Sequence, residues 1–211
     1  MRITGVVGAP SKALGTGTEE NLRLVPVGGL AISTVSSKYS ESVRLGRVWS
    51  AQTAVTGVAP GTAIGTTAAF TLYNPKNSGV HLAILRTTMG YVSGTLGAGT
   101  IFYVANVDSA AAAVTGTAIV PVNRLLGNGA SATGKAFTTA TLPATPTIVG
   151  TLWSLQASLA TTAVAPWMAA HDVEGAILIS AGCALSLEAV AAAGTTPLVV
   201  YGMVWEEVPA E

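Results

Sequence analysis

Along this chain apolar residues alternate with polar ones in short runs, and the runs stop at glycine, proline and asparagine. A period of two sends successive side chains to opposite faces of a strand, so the pattern predicts β-structure. It is clearest in FTLYNPKNSGVHLAILRTTMGYVSGTLGAGTIFYVAN, Phe70 to Asn106. Within it, Asn74-Pro75-Lys76-Asn77-Ser78-Gly79 supplies a proline that presets φ and residues that tolerate positive φ. Ser93 to Gly99 carries three glycines in seven residues, so the chain can reverse there without steric cost. Strand, turn, strand, turn and strand follow in order, an antiparallel scaffold. The glycine turns are expected at one end of it, where small residues let neighbouring backbones approach closely.

The last third alternates as well. In Leu152 to Ala160 the pattern puts Trp153, Leu155, Ala157 and Leu159 on a half-buried face. Ala176–Ser180, Ala184–Ala191 and Leu198–Glu207 are strand-like, separated by turns at Ala181-Gly182 and at Ala193 to Pro197. Val199, Tyr201, Met203 and Trp205 share one face of the final run. Asp108 to Ala113 reads as a turn of helix and Thr117–Val122 as a short strand. Asn123 to Lys135 is a glycine-rich loop at the rim, and Pro143 and Pro146 argue that Ala136 to Gly150 lies on an edge.

Upstream the signals are weaker. Residues 1 to 20 have no period and read as an arm, and Leu22–Val27 and Leu30–Val35 flank Gly28-Gly29 as a small hairpin. Ser37 to Ala51 reads as an extended or irregular connector, and Gln52 to Thr67 as a loop or edge strand. The expected organisation is an arm, hairpin and connector over residues 1–51, followed by one antiparallel all-β domain over 52–211. About nine or ten short strands at this spacing fit a sandwich or barrel.

Composition changes the view of the surface. Half of the residues are hydrophobic and only 9% are charged, against roughly a quarter in an ordinary soluble domain. The outside must then be covered by Thr, Ser, Ala and Gly or by other subunits. Large permanent interfaces are depleted in charge, so burial against other subunits is the expectation. The 10 basic and 10 acidic residues cancel, and the cations are scattered, which disfavours nucleic acid as a partner. Arg44 and Arg47 are close in sequence, offset by Glu41, and read as a surface or interface ion pair. The apolar start of the chain is broken by Gly8 and Pro10 and makes no signal segment. The uncharged runs elsewhere are too rich in Pro, Gly and Thr for a spanning helix, so no membrane partner is expected and the chain should be soluble.

Candidate chemistry is sparse. Cys183 is the single cysteine, which excludes an internal disulfide or a multi-cysteine metal site, and its apolar neighbours predict a buried, inert thiol. The chain has two histidines and two aspartates, and only His171-Asp172-Val173-Glu174 could start an acid/base or metal cluster. Adjacent residues of a strand face opposite ways, so this stretch is expected to be structural, and His81 to be a core or interface imidazole. Nothing places Glu174, Glu188, Glu206 or Glu207 as a glycosidase pair, and the glycines of Ser93–Gly99 precede a strand and lack the lysine of a phosphate loop. No catalytic residue, cofactor or metal site is therefore assigned, and the chain is not expected to be an enzyme. The tryptophans could stack on sugars, with Trp167 the best candidate for an exposed one, but Trp49, Trp153 and Trp205 lie in strand-like segments that suit a core or an interface. The candidate interface residues are Tyr39, Arg44, Arg47, Trp49, Trp167 and Trp205.

The segments LYNPKNSG, YVSGTLGAG and TTPLVVYGMVWEEVP, set in a charge-poor chain rich in Gly, Thr and Ala, resemble structural proteins of tailed-bacteriophage particles. In particular, residues 65–207 are similar to small jelly-roll proteins that decorate or cement capsids. The resemblance implies a jelly-roll-like sandwich with an extended N-terminal arm, assembly as a homo-oligomer, usually a trimer, and a place on the capsid exterior after assembly in the host cytoplasm. Its partners would be the major capsid protein or other virion proteins, reached in part through the arm. The alternative expectation is a carbohydrate-binding or host-recognition module such as a fibre domain.

Overall fold

Strand pairing in the computed structural model, which describes residues 37–107, 113–155, 168–191 and 194–210, is nested. The elements are α1 (Ser40–Arg44), β1 (Val48–Gln52), β2 (Thr67–Tyr73), β3 (Val80–Ser93), β4 (Gly99–Asn106), β5 (Thr115–Ile119), β6 (Val122–Asn123), β7 (Lys135–Thr141), β8 (Thr147–Leu155), β9 (Met168–Asp172), β10 (Leu178–Ile179), β11 (Ala184–Ala191) and β12 (Leu198–Pro209). β1 pairs with β12, β2 with β11, β3 with β9 and β10, and β4 with β8, all antiparallel. Alternate pairs go to different sheets. β12 then joins β3 and β11 joins β4, which yields the core strand orders β1-β12-β3-β9 and β2-β11-β4-β8. A long hairpin rolled into two facing sheets in this way is a jelly roll. The chain between β4 and β8 extends both sheets, adding β7 and β5 beside β2 and β6 beside β1.

The expected strands of Phe70 to Asn106 are present as β2, β3 and β4, but neighbours in sequence do not pair with each other. β3 lies in one sheet and β2 and β4 in the other, so both turns cross between sheets. Asn74 holds the first crossing. It is fully buried, and its Nδ2 donates to Val80 O at 2.8 Å and Ile179 O at 2.9 Å, which ties the end of β2 to β3 and β10. The second crossing packs against the turn before β12. Thr95 N–H donates to Thr195 O at 2.9 Å, and a Cβ on Gly94 would sit 2.1 Å from Thr196 O. Only glycine permits that approach, and its φ of +84° is one that L side chains rarely adopt.

The core lies between the sheets. Phe70 and Leu72 from β2, Ile101 and Tyr103 from β4, and Leu185 and Leu187 from β11 meet Leu82, Ile84 and Met89 from β3. From β12 come Val199, Tyr201, Met203 and Trp205, which the alternation had placed on one face and which are all at most 1% exposed. Each large apolar side chain buried in this way contributes about 1.5–3 kcal/mol. Strict alternation along β3 would have turned Arg86 inward after Leu82 and Ile84. The pairing with β12 shifts there, from Trp205↔Ile84 to Val204↔Arg86, and the extra residue Leu85 reverses the parity. Arg86 consequently faces out and Thr87 faces in.

Several expectations are corrected. Ser37 to Ala51 is neither wholly extended nor a mere connector: it holds α1, with Glu41 in its first turn and Arg44 in its last, in accord with the helix dipole, and then β1, an inner strand of a sheet. Ala136 belongs to β7, which is also interior, and Pro143 and Pro146 fall in the link to β8, the true edge strand. In β8 the buried residue is Leu152, while Trp153 is 40% exposed, because the register shifts opposite Ile101 and Phe102. Cys183 is only partly buried, with its thiol donating to Val107 O at 3.3 Å. The hairpin expected over 22–35, the helical turn at 108–112 and the alternation beyond Leu155 lie outside the described residues. Residues 42–211 form one compact unit.

Candidate functional site

The open side of the jelly roll combines edge strands from both sheets. β8 ends one sheet, and β10 lies at an edge of the other. Between them runs an apolar groove of about 540 Å³ whose lining includes Val107, Val149, Leu178, Ile179 and Cys183 and, among the described residues, no charged one. The sequence creates it through a second irregularity in β8. Tyr103 pairs with Gly150 and Val104 with Ile148, so Val149 is an extra residue and two β-branched side chains stand together on a bulged edge. Val107 is 70% exposed, Leu178 59%, Ile148 53% and Val149 49%. A cluster of exposed aliphatic side chains around a groove is the usual mark of a surface that another molecule covers.

A second groove, of about 550 Å³, crosses the outer face of the β1-β12-β3 sheet. Its floor has two cross-strand rows, Gln52–Gly202–Thr88 and Ser50–Val204–Arg86. Val120 in the link from β5 to β6 and Val122 at the start of β6 make one wall, and Arg124 lies just beyond β6. Arg86 Nε pairs with Asp172 Oδ1 at 3.4 Å across β3 and β9.

The interior also holds polar groups. Tyr103 reaches from β4 across the sandwich to Thr87 Oγ1 and to His171 Nδ1, the latter at 2.9 Å. His171 and Thr87 are themselves cross-strand partners. Burial pushes the Tyr103 hydroxyl up to about 12, although its bond to Thr87 acts the other way. On β11, Glu188 is 2% exposed; its Oε2 accepts the Gly65 N–H at 2.9 Å while Oε1 has no hydrogen-bond partner among the described residues. Desolvation raises its carboxyl above the ordinary value, with the Gly65 bond opposing. Glu207 Oε1 accepts the N–H groups of Thr133 and Gly134 at 2.7 and 2.8 Å and so fastens the rim loop to β12.

Trp49 and Trp205, expected at an interface, are cross-strand partners inside the core at 3% and 0% exposure, so neither can touch another subunit. Their strands are inner ones, buried between the sheets, which their local sequence does not reveal. Arg44 and Arg47 are exposed, Arg44 in α1 and Arg47 just before β1. Tyr39 lies just before α1, with Lys38 Nζ 5.4 Å from its ring centroid. Trp167 lies outside the described residues. The stretch His171 to Glu174 gathers no ligand set: His171, exposed on the edge strand β9, bonds Tyr103, Asp172 pairs with Arg86, and Glu174 lies in the following turn at a φ of +56°. His81 is partly exposed, and its Nδ1 has no hydrogen-bond partner among the described residues. Among the described residues no cluster of three or more His, Cys, Asp or Glu side chains could hold a metal ion, and no helix is long and apolar enough to cross a membrane.

Sequence reasoning missed the groove residues Val107, Val149 and Leu178 and the exposed Ile148 beside them. The adjacent pair Ile148-Val149, which breaks the alternation in front of Gly150, was the available signal. No protein-family model, curated protein or solved structure matches the chain.

Proposed function

We propose that this chain is a structural protein of a virus particle, a jelly-roll subunit that assembles with copies of itself, as a trimer, and with shell proteins on the capsid exterior. The observation that carries the reading is the apolar groove on the open side, lined among the described residues by Val107, Val149 and Leu178 and without a charged one, with the exposed Ile148 beside Val149. Jelly rolls recur in capsid proteins and lectins, and a composition with 9% charged residues suits a surface that is largely covered. The action is mechanical. Apolar area leaving water contributes about 25 cal/mol per Å², and permanent interfaces bury roughly 2,000 Å² or more, so such contacts resist opening of the shell. No catalytic step belongs to this reading.

Sedimentation velocity tests it. The protein at micromolar concentration should sediment as an oligomer, and Val149→Asp or Leu178→Asp, both at exposed positions, should return it to a monomer of unchanged fold. A wild-type monomer under these conditions overturns the reading.

A further inference from the structure

The groove on the outer face of the β1-β12-β3 sheet has the opposite character to the open side. At the middle of its first row stands Gly202, where an added Cβ would come within 2.7 Å of Thr88 Oγ1 and 3.8 Å of Gln52 Cγ. The missing side chain leaves room for the Thr88 hydroxyl over Gly202, with the Gln52 side chain beside it. The second row contributes Ser50 and Arg86, and the Asp172 carboxylate steadies the Arg86 guanidinium through Nε. Arg124 closes the row of donors. Its side chain has neither a hydrogen bond nor an ion pair among the described residues. The wall of Val120 and Val122, 82% and 55% exposed, offers an apolar surface above these polar groups.

That set of groups defines a ligand. Guanidinium forks match carboxylates, forming paired charge-assisted hydrogen bonds. The Gln52 amide and the Ser50 and Thr88 hydroxyls both donate and accept, as ring hydroxyls require. Valine side chains suit the C–H face of a sugar ring. The volume falls within the ~300–1,000 Å³ typical of small-ligand sites. Among the described residues no aromatic side chain lines the groove, so charge and hydrogen bonding, not stacking, would provide the selectivity.

We propose that this groove binds a carboxylate-bearing saccharide, a uronic or sialic acid unit, with Arg124 holding the carboxylate and Gln52 and Thr88 holding ring hydroxyls. The site is on a different face from the apolar groove and does not depend on the assembly reading.

Calorimetric titration of the full chain with methyl β-glucuronide and with the methyl glycoside of sialic acid tests it, alongside methyl β-glucoside, acetate and triglutamate. Saturable binding of either acidic sugar is expected, at least tenfold tighter than the glucoside or acetate and weakened by salt. Arg124→Gln and Thr88→Val, each checked by circular dichroism, should weaken it at least tenfold and severalfold respectively. The proposal is overturned if neither acidic sugar saturates the protein, if acetate or the neutral glucoside binds as tightly, if triglutamate binds more tightly, or if folded Arg124→Gln binds like the wild type. Should Arg124→Gln fail to fold, the comparison of acidic with neutral sugar on the wild type, together with Thr88→Val, still decides the matter.

Discussion

The Tyr103 hydroxyl, buried between the sheets, and the imidazole of His171, exposed on the edge strand β9 of the opposite sheet, meet at 2.9 Å. The same hydroxyl contacts Thr87, so one phenol pins the two sheets together at a point where neighbouring contacts are apolar. Tyr103→Phe keeps the ring and removes the pin. Thr87, fully buried, is then left without that partner, and an unsatisfied buried hydroxyl costs about 1–3 kcal/mol. Urea denaturation should show a loss of that size with an unchanged m-value.

The same tyrosine sets the alkaline limit of stability. Burial pushes Tyr103 up to about 12 and raises Tyr201 as well. In the unfolded chain both ionise near 10, so above that pH the folded state holds more protons than the unfolded one and stability falls as pH rises. Thermal melts between pH 9 and pH 12 should show this decline. Tyr201→Phe, whose hydroxyl has no hydrogen-bond partner to lose, should make it shallower.

Glu188 acts in the same sense at lower pH. Its carboxyl is raised by desolvation, so its favourable contribution is fully present below the unfolded value and is lost as pH rises through the folded one. Glu188→Gln retains an acceptor for the Gly65 N–H and removes the charge. It should raise stability at pH 7 and have little effect at pH 3, as read from melting temperatures at the two values.

Asn74 tests the first crossing between sheets. Asn74→Ala removes the donors to Val80 O and Ile179 O, both of which lie in or beside strands of the opposite sheet. A loss of roughly 2–4 kcal/mol is expected, with faster hydrogen exchange concentrated in β10 and the start of β3.

Gly94→Ala probes the second crossing. The methyl group would meet backbone, Thr196 O at 2.1 Å, at a φ of +84°. Since neither neighbour is a flexible side chain, the turn must open, and a loss exceeding that of Asn74→Ala is expected in denaturant melts. An Ala at Gly129, where nothing lies within 4 Å, should be close to neutral.

What the sequence determined by itself is local. Alternation with a period of two marks β-structure wherever one face is buried, which is why Val199, Tyr201, Met203 and Trp205 could be assigned to one inward face. Glycine and Asn-Pro marked both places as turns, because few other residues fit there, though not as crossings between sheets. The tertiary structure alone decided which strands pair and which side chains they present. β1 meets β12 from the far end of the chain, and no local period encodes that choice. The extra residues Leu85, Val149 and Leu152 shift registers by one place, which turned Arg86 outward, put Ile148 and Val149 together on the open side, and reversed the expected roles of Leu152 and Trp153. A bulge is set by the balance between burying both sheets and closing the ladder, so it depends on a partner strand that the local sequence does not contain.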